Sequence, residues 1–232
     1  NTDSGKSVKS VHDKTGMSVH AKTRTGVHDG PESLFTMLRN MHLPKNCDVS
    51  LLAGRCIAIL HGFMSSREIS NIGVCFPKWN EQTIGNELAF VSTDKKQLIN
   101  LSQQSYFEMM AHDKLFGLSK ILEVPVNQSE VMFVRNQSVA KAFVGEKQRR
   151  LKRAKKRAEA RGEVYNPEYK FEEKAIGHFH SIPVSSKGNG ENFILHIQKI
   201  ENTNAIENQF NNYGFATNQT FQGTVPSLNT LF

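Results

Sequence analysis

Apolar and polar positions change period several times along this chain, and each change marks an element. Leu34 to Leu43 (LFTMLRNMHL) is apolar enough for a strand, and Pro44 stops it. Asn46 or Asp48 can cap a helix from Val49 to about Phe63. Leu52, Cys56, Ile59 and Phe63 recur at helical spacing on one face of it, and Gly62 weakens its end. Ile72, Val74 and Phe76 alternate in a strand closed by Pro77. Leu88 and Phe90 continue that alternation after a turn around Gly85. Asp94 can cap a second helix over Lys95 to His112, and KILEVPV reads as another strand. The order β-α-β-β-α-β predicts a split βαβ, ferredoxin-like domain over residues 33–127.

A second unit, residues 128–232, follows. Glu130 to Val139 reads as a strand, with Val131, Phe133, Arg135 and Gln137 on one face. The next stretch is a helix with a narrow apolar stripe of Val144, Leu151, Ala154 and Ala158. Lys147, Arg149, Arg150, Arg153, Lys156 and Arg157 cover the rest of its surface. GHFHSIPV and NFILHIQKI are two strands joined by SSKGNGE. The tail from Asn202 is polar and Asn-rich, with Tyr213-Gly214 its most distinctive spot. The fold class is therefore α+β, with an arginine-rich helix in its C-terminal α/β domain.

Composition adds to this picture at both ends. Residues 1–32 are rich in Ser, Thr, Gly, Lys and His, and Val-His recurs at His12, His20 and His28. A segment so poor in apolar residues reads as a flexible repetitive tail, in preference to a metal site on poorly preorganised ligands. No apolar run approaches the roughly 20 residues that span a bilayer, and no signal peptide is visible. Cys47, Cys56 and Cys75 form no CxxC pair and are odd in number, which suits reduced thiols in a cytoplasmic protein.

Charge singles out the helix. The chain carries a formal net charge of +7. From Lys147 to Arg161, nine of fifteen side chains are Lys or Arg and one is acidic. Like charges at i,i+4, such as Arg149/Arg153 and Arg153/Arg157, cost about 0.2–0.5 kcal/mol each. A one-sign helix with its own apolar stripe therefore favours an anionic partner over a bare solvated face or a localisation tag. Arg135 with Gln137 is a base-reading combination, guanine for one and adenine for the other. An A-form duplex hides its major groove except near ends and loops, so an RNA hairpin is the better target, with duplex DNA open on charge alone. Other chemistries fall away: there is no GxxxxGK[ST], GxSxG, HExxH or CxxC…CxxC. His178 and His180 alternate on a strand and could bind a metal, but no third ligand with the usual spacing appears. No cofactor is implied.

LLAGRCIAILHGF, NIGVCFPKWN, VRNQ, the basic helix, HFHS, NFILHI after a Ser/Gly loop, and NNYGF follow one another from about Ser33 to the C-terminus. In that order and spacing they resemble the CRISPR repeat-processing endoribonucleases of type I-F systems, above all the transposon-associated branch. The resemblance implies a protein that binds the repeat stem-loop and cuts the RNA at the 3′ base of the stem without metal. The 2′-hydroxyl attacks, leaving a 2′,3′-cyclic phosphate. The product then stays bound in a guide-RNA surveillance complex, which serves either DNA interference or transposition through a targeting protein. It places the catalytic histidine on His61, with ten residues between it and Ile72-Gly73, and the tyrosine that orients it on Tyr213. The catalytic serine aligns with Val184 and a second with Ser186; a shift of one residue selects Ser185. Phe193 matches an aromatic that stacks on the terminal base pair, with a core strand residue as the alternative reading. Arg135 and Gln137 match the base-reading pair. From the residues alone, His61 ends its helix, where the macrodipole favours the charged imidazole. A catalytically idle hairpin-binding subunit and a generic basic nucleic-acid-binding protein are the competing classes.

Overall fold

A computed structural model describes residues 33–39, 48–125, 127–165, 176–185, 190, 192–204 and 209–229. The repetitive segment 1–32, Asn46, Cys47, Ser186 and Gly188 lie outside the described residues, as do the side chains of Val144 and Lys147.

Helix α1 (Val49–Arg67) organises the molecule. Asp48 starts it, its carboxylate accepting from the backbone N–H groups of Ser50 at 2.9 Å and Leu51 at 3.3 Å. It runs past the Phe63 end predicted from Gly62, because Phe63 and Met64 are buried. Their packing outweighs the roughly 1 kcal/mol that a helical glycine costs. Glu68, in the left-handed region at φ 54°, ends it. At 19 residues α1 is long and apolar enough to cross a bilayer on length and composition. Its apolar face is consumed by the protein instead: Leu52, Cys56, Ile57, Leu60, Phe63 and Met64 are all buried.

The first sheet has the order β2-β3-β1-β4, every neighbour antiparallel, formed by β1 (Ser33–Arg39), β2 (Gly73–Cys75), β3 (Leu88–Ser92) and β4 (Gly117–Leu118). β5 (Leu122–Glu123) also pairs with β1 on the edge that β4 uses, so of the strand predicted in KILEVPV only Leu122–Glu123 forms, and β4 precedes it. The helix predicted over Lys95 to His112 is broken into α2 (Lys95–Ser102) and α3 (Ser105–His112). Leu101 and Phe107 are both fully buried. In one continuous helix of about 100° per residue, six steps would turn Phe107 roughly 120° away from Leu101. The break at Gln103–Gln104 returns both to the core.

The second sheet has the order β10-β6-β8-β7: β6 (Glu130–Arg135), β7 (His180–Ser185), β8 (Asn192–Thr203) and β10 (Val225–Pro226), with β9 (Ala216–Thr217) parallel to β6. The strand predicted to Val139 ends at Arg135, because Asn136 caps helix α4 (Gln137–Ala142) by accepting from the N–H of Ser138 at 2.9 Å. Gln137 is thus the first residue of a helix, not a strand neighbour of Arg135. Apolar residues of α1, both sheets and the segment 210–228 form one core. The closest approach is at Gly54 on α1. Any Cβ there would collide with the Pro183 carbonyl of β7 and force helix and sheet apart.

Helix α5 (Val144–Ala160) carries the basic run. Its stripe does not dock on a sheet. Leu151 and Ala154 are half-buried and Ala158 is buried. The chain folds back there, with the Glu163 N–H donating to the Ala158 carbonyl at 2.9 Å past Gly162 at φ 71°. α5 contacts chiefly α4, and Phe143 at its root meets the rings of Phe179 and His196.

Candidate active site and nucleic-acid interface

The end of β6, the start of β8 and the turn at Tyr213 converge on α1. The rings of His61 and Tyr213 stack with centroids 4.2 Å apart and planes 5° from parallel. The Arg135 guanidinium, at the end of β6, lies 5.0 Å from the centre of the same tyrosine ring. Phe193, near the start of β8, meets Tyr213 edge-on at 5.9 Å and is half-buried against the core. Residues 61, 135, 193 and 213, scattered along the sequence, thus form one contiguous group.

The tyrosine is placed by its own local sequence. The Asn211 side chain accepts from the Tyr213 N–H at 2.8 Å and from the Phe215 N–H at 3.3 Å, an Asx turn. Gly214 completes the turn at φ 79°. Backbone bonds from Phe210 N to Ser70 O and from Val74 N to Gly214 O, both 2.8 Å, fasten this segment to the α1–β2 connection and to β2. Asn212 Nδ2 donates to Ser65 Oγ on α1, one helical turn beyond His61. Asn-Asn-Tyr-Gly is therefore a built element, and the Asx-turn propensity of Asn before Gly was its sequence signal. A Cβ on Gly214 would press on Val74 and Leu60 as well as forcing a left-handed backbone. Gly214→Ala should destabilise the fold by about 1–3 kcal/mol and slow catalysis by displacing Tyr213. Urea unfolding and a cleavage assay on the folded fraction measure the two effects separately.

His61 lies in the body of α1, six residues before its last residue Arg67, not at its end. The macrodipole acts within the last turn, so it does not favour the charged ring here. The opposite holds: burial pushes the imidazole pKa below its ordinary 6.5, and the charge of Arg135 acts the same way. The Asn212 backbone pulls toward the charged form, but the buried Nδ1 completes no hydrogen bond among the described residues. The neutral imidazole, a proton acceptor, is therefore favoured near neutral pH. Burial likewise pushes the thiols of Cys56 and Cys75 up to about 12, which leaves them inert.

The remaining candidates lie apart. Ser185 is exposed at the end of β7, paired with Asn192, next to the Val184–Phe193 pair. It makes no hydrogen bond to His61 among the described residues. Gln137 is exposed on α4 and shares no face with Arg135, whose guanidinium is engaged with Tyr213. Arg149, Arg150, Arg153, Lys156 and Arg157 are all exposed on α5. Lys155 pairs with Glu159 at 3.8 Å. Arg153, Lys156 and Arg157 have no acidic partner among the described residues. A positive arm thus stands apart from a compact histidine–tyrosine–arginine group.

A protein-family model described as CRISPR-associated protein (Cas_Csy4) matches residues 40–228. No curated protein matches the chain.

Proposed function

The chain belongs to the Cas_Csy4 family of CRISPR-associated proteins, a family of RNA-processing endoribonucleases, and from that premise we propose a metal-independent cleavage at His61. The observation that carries the proposal is the neutral-favoured His61 ring, stacked on Tyr213 beside the Arg135 charge. His61 takes the proton of a ribose 2′-hydroxyl, and the freed oxygen attacks the adjacent phosphorus. The bond from phosphorus to the 5′ oxygen breaks, and that oxygen takes up a proton. The products are a 2′,3′-cyclic phosphate and a 5′-hydroxyl. Tyr213 fixes the plane of the base, and Arg135 opposes the negative charge that builds on the phosphoryl oxygens. Phe193 offers its half-exposed face to the terminal base pair, and Ser185, one rung from the Val184–Phe193 pair, takes the role of orienting the scissile nucleotide.

The substrate of this reading is the CRISPR repeat stem-loop, gripped by α5 and cut at the 3′ base of the stem. The strand order β2-β3-β1-β4 supports reading residues 33–127 as a ferredoxin-like unit, with 128–232 as the RNA-gripping unit. The product stays bound, and the protein serves as a subunit of a type I-F surveillance complex, in the branch that directs transposition. The test is single-turnover cleavage of the cognate hairpin in excess EDTA, with enzyme over RNA because product is retained. A cyclic-phosphate product supports the proposal. Tight hairpin binding without cleavage makes the protein an idle hairpin holder, and equal affinity for unrelated RNA makes it a generic basic protein.

The pH dependence carries a definite sign. A depressed imidazole pKa leaves the base active at neutral pH and inactivates it only in more acid solution. At subsaturating enzyme the cleavage rate should rise with pH to a plateau, with its midpoint below the ordinary histidine value of 6.5. Arg135→Gln should move that midpoint upward, because it removes a charge that disfavours the imidazolium. A midpoint above 6.5 in the wild type contradicts the assignment.

A further inference from the structure

A second histidine pair lies at the end of the β7–β8 ladder away from Phe193. His178 and His180 flank one residue, and their Nε2 atoms face each other at 3.2 Å. The His180 Nε2 also lies 2.8 Å from the backbone carbonyl oxygen of Asn80, in the loop between β2 and β3. That loop is hydrogen-bonded internally at this point. The Asn80 side chain accepts from the N–H groups of Gln82 at 2.9 Å and Thr83 at 3.0 Å, and the Asn80 N–H donates to the Thr83 carbonyl at 3.0 Å. Trp79, packed on Phe76 and Phe133, closes over the His180 ring at 4.4 Å. Two further donor atoms, from two separate parts of the chain, therefore lie within 3.2 Å of His180 Nε2.

A proton serves this arrangement incompletely. His180 Nε2 can carry one hydrogen, and the Asn80 carbonyl is the nearer acceptor. The His178 nitrogen at 3.2 Å is then left with a lone pair directed at an N–H aimed elsewhere. A divalent cation accepts all three lone pairs at once. For imidazole ligands at about 2.0–2.1 Å, a nitrogen separation of 3.2 Å corresponds to an angle of about 100° at the ion, and the 2.8 Å edge to about 85°. Both are ordinary for a site completed by water. We propose that His178, His180 and the Asn80 carbonyl bind a borderline divalent cation of the zinc, nickel or copper class, which clasps the β2–β3 loop of the first sheet to β7 of the second. Two imidazoles with one carbonyl suit these ions better than magnesium or calcium. The site is structural. His180 pairs with Ile197 and Val184 with Phe193 across the hairpin, so four residues, about 13 Å of strand, separate it from the Phe193 end.

The test uses the full chain stripped with chelator and titrated with ZnCl2 alone. Wild-type Tm should rise by about 5–10 °C at a hundredfold excess of free zinc over Kd, and His178→Ala should lose that rise. The histidines of residues 1–32 remain in the variant, so any zinc they take is common to both. Equal rises in the wild type and in the His178→Ala/His180→Ala double variant overturn the proposal. Because the double variant removes the contact with Trp79, imidazole nitrogen shifts are read on the wild type as well. His178 and His180 should respond at Nε2 to one equivalent of zinc, and unmoved shifts overturn the proposal regardless of how the variants fold. Cleavage by the stripped protein is followed in parallel. It should not depend on either histidine, so loss of the metal site and loss of the His61 chemistry are read independently.

Discussion

His61→Ala should lower the single-turnover cleavage rate by about 10²–10⁴-fold, the usual contribution of a positioned general base, while the hairpin still binds. The separation follows from the geometry. His61 touches Tyr213, whereas the exposed cations of α5 make no contact with it among the described residues. The substitution also removes half of an aromatic stack, worth about 0.5–1.5 kcal/mol, so its Tm must be compared with that of the wild type. Tyr213→Phe keeps the stacked ring and should retain most of the rate; Tyr213→Leu removes the ring that fixes the imidazole and should lose much of it. A His61→Ala protein that folds and cleaves at the wild-type rate removes the catalytic assignment, whatever the hairpin affinity.

Neutralising Arg149, Arg153 and Arg157 together to Gln should weaken hairpin binding by about 10²–10³-fold near 0.1 M salt. If each contacts one phosphate, the slope of log K against log salt should fall in magnitude by about 2.7. These three share one face at i,i+4 spacing, so a single duplex can meet all of them. All three are exposed on a helix that contacts chiefly α4, so the substitutions remove no buried side chain. Tm should therefore stay constant or rise slightly as like-charge repulsion is relieved. At saturating enzyme, cleavage of bound hairpin should stay near the wild-type rate. An unchanged salt slope would show that α5 is a solvated arm and that the RNA is gripped elsewhere.

These two experiments address parts of the protein that were legible to different degrees. The α5 surface was readable in full from the order of its charges, because a helix presents its side chains by a fixed angular step. Its docking was not: the apolar stripe pointed to packing on the body of the protein, but at Ala158 the chain folds back on itself through Arg161–Glu163. His61 was found through resemblance, and its local reading had the wrong sign. Gly62 suggested a helix end and a charged imidazole, whereas burial of Phe63 and Met64 carries the helix onward and the surroundings favour the neutral ring. Gln137 was misplaced because a period of two continued past Arg135, and the capping side chain of Asn136 was weighed too little.

By itself, the sequence determined what depends on neighbours within a few residues. Asp94 starts a helix, Asn46 or Asp48 starts another, β7 and β8 are strands joined by a Ser/Gly loop, and α5 has one sign of charge. Only the tertiary structure decided which distant residues meet. Residues 61, 135, 193 and 213 converge because the register of β7 on β8 and the close approach at Gly54 and Gly214 set where each element ends. The Asn80 carbonyl meets His180, which faces His178, for the same reason. Periodicity and capping act along the chain, whereas proton affinity and ligand convergence depend on burial and on backbone atoms brought together across it.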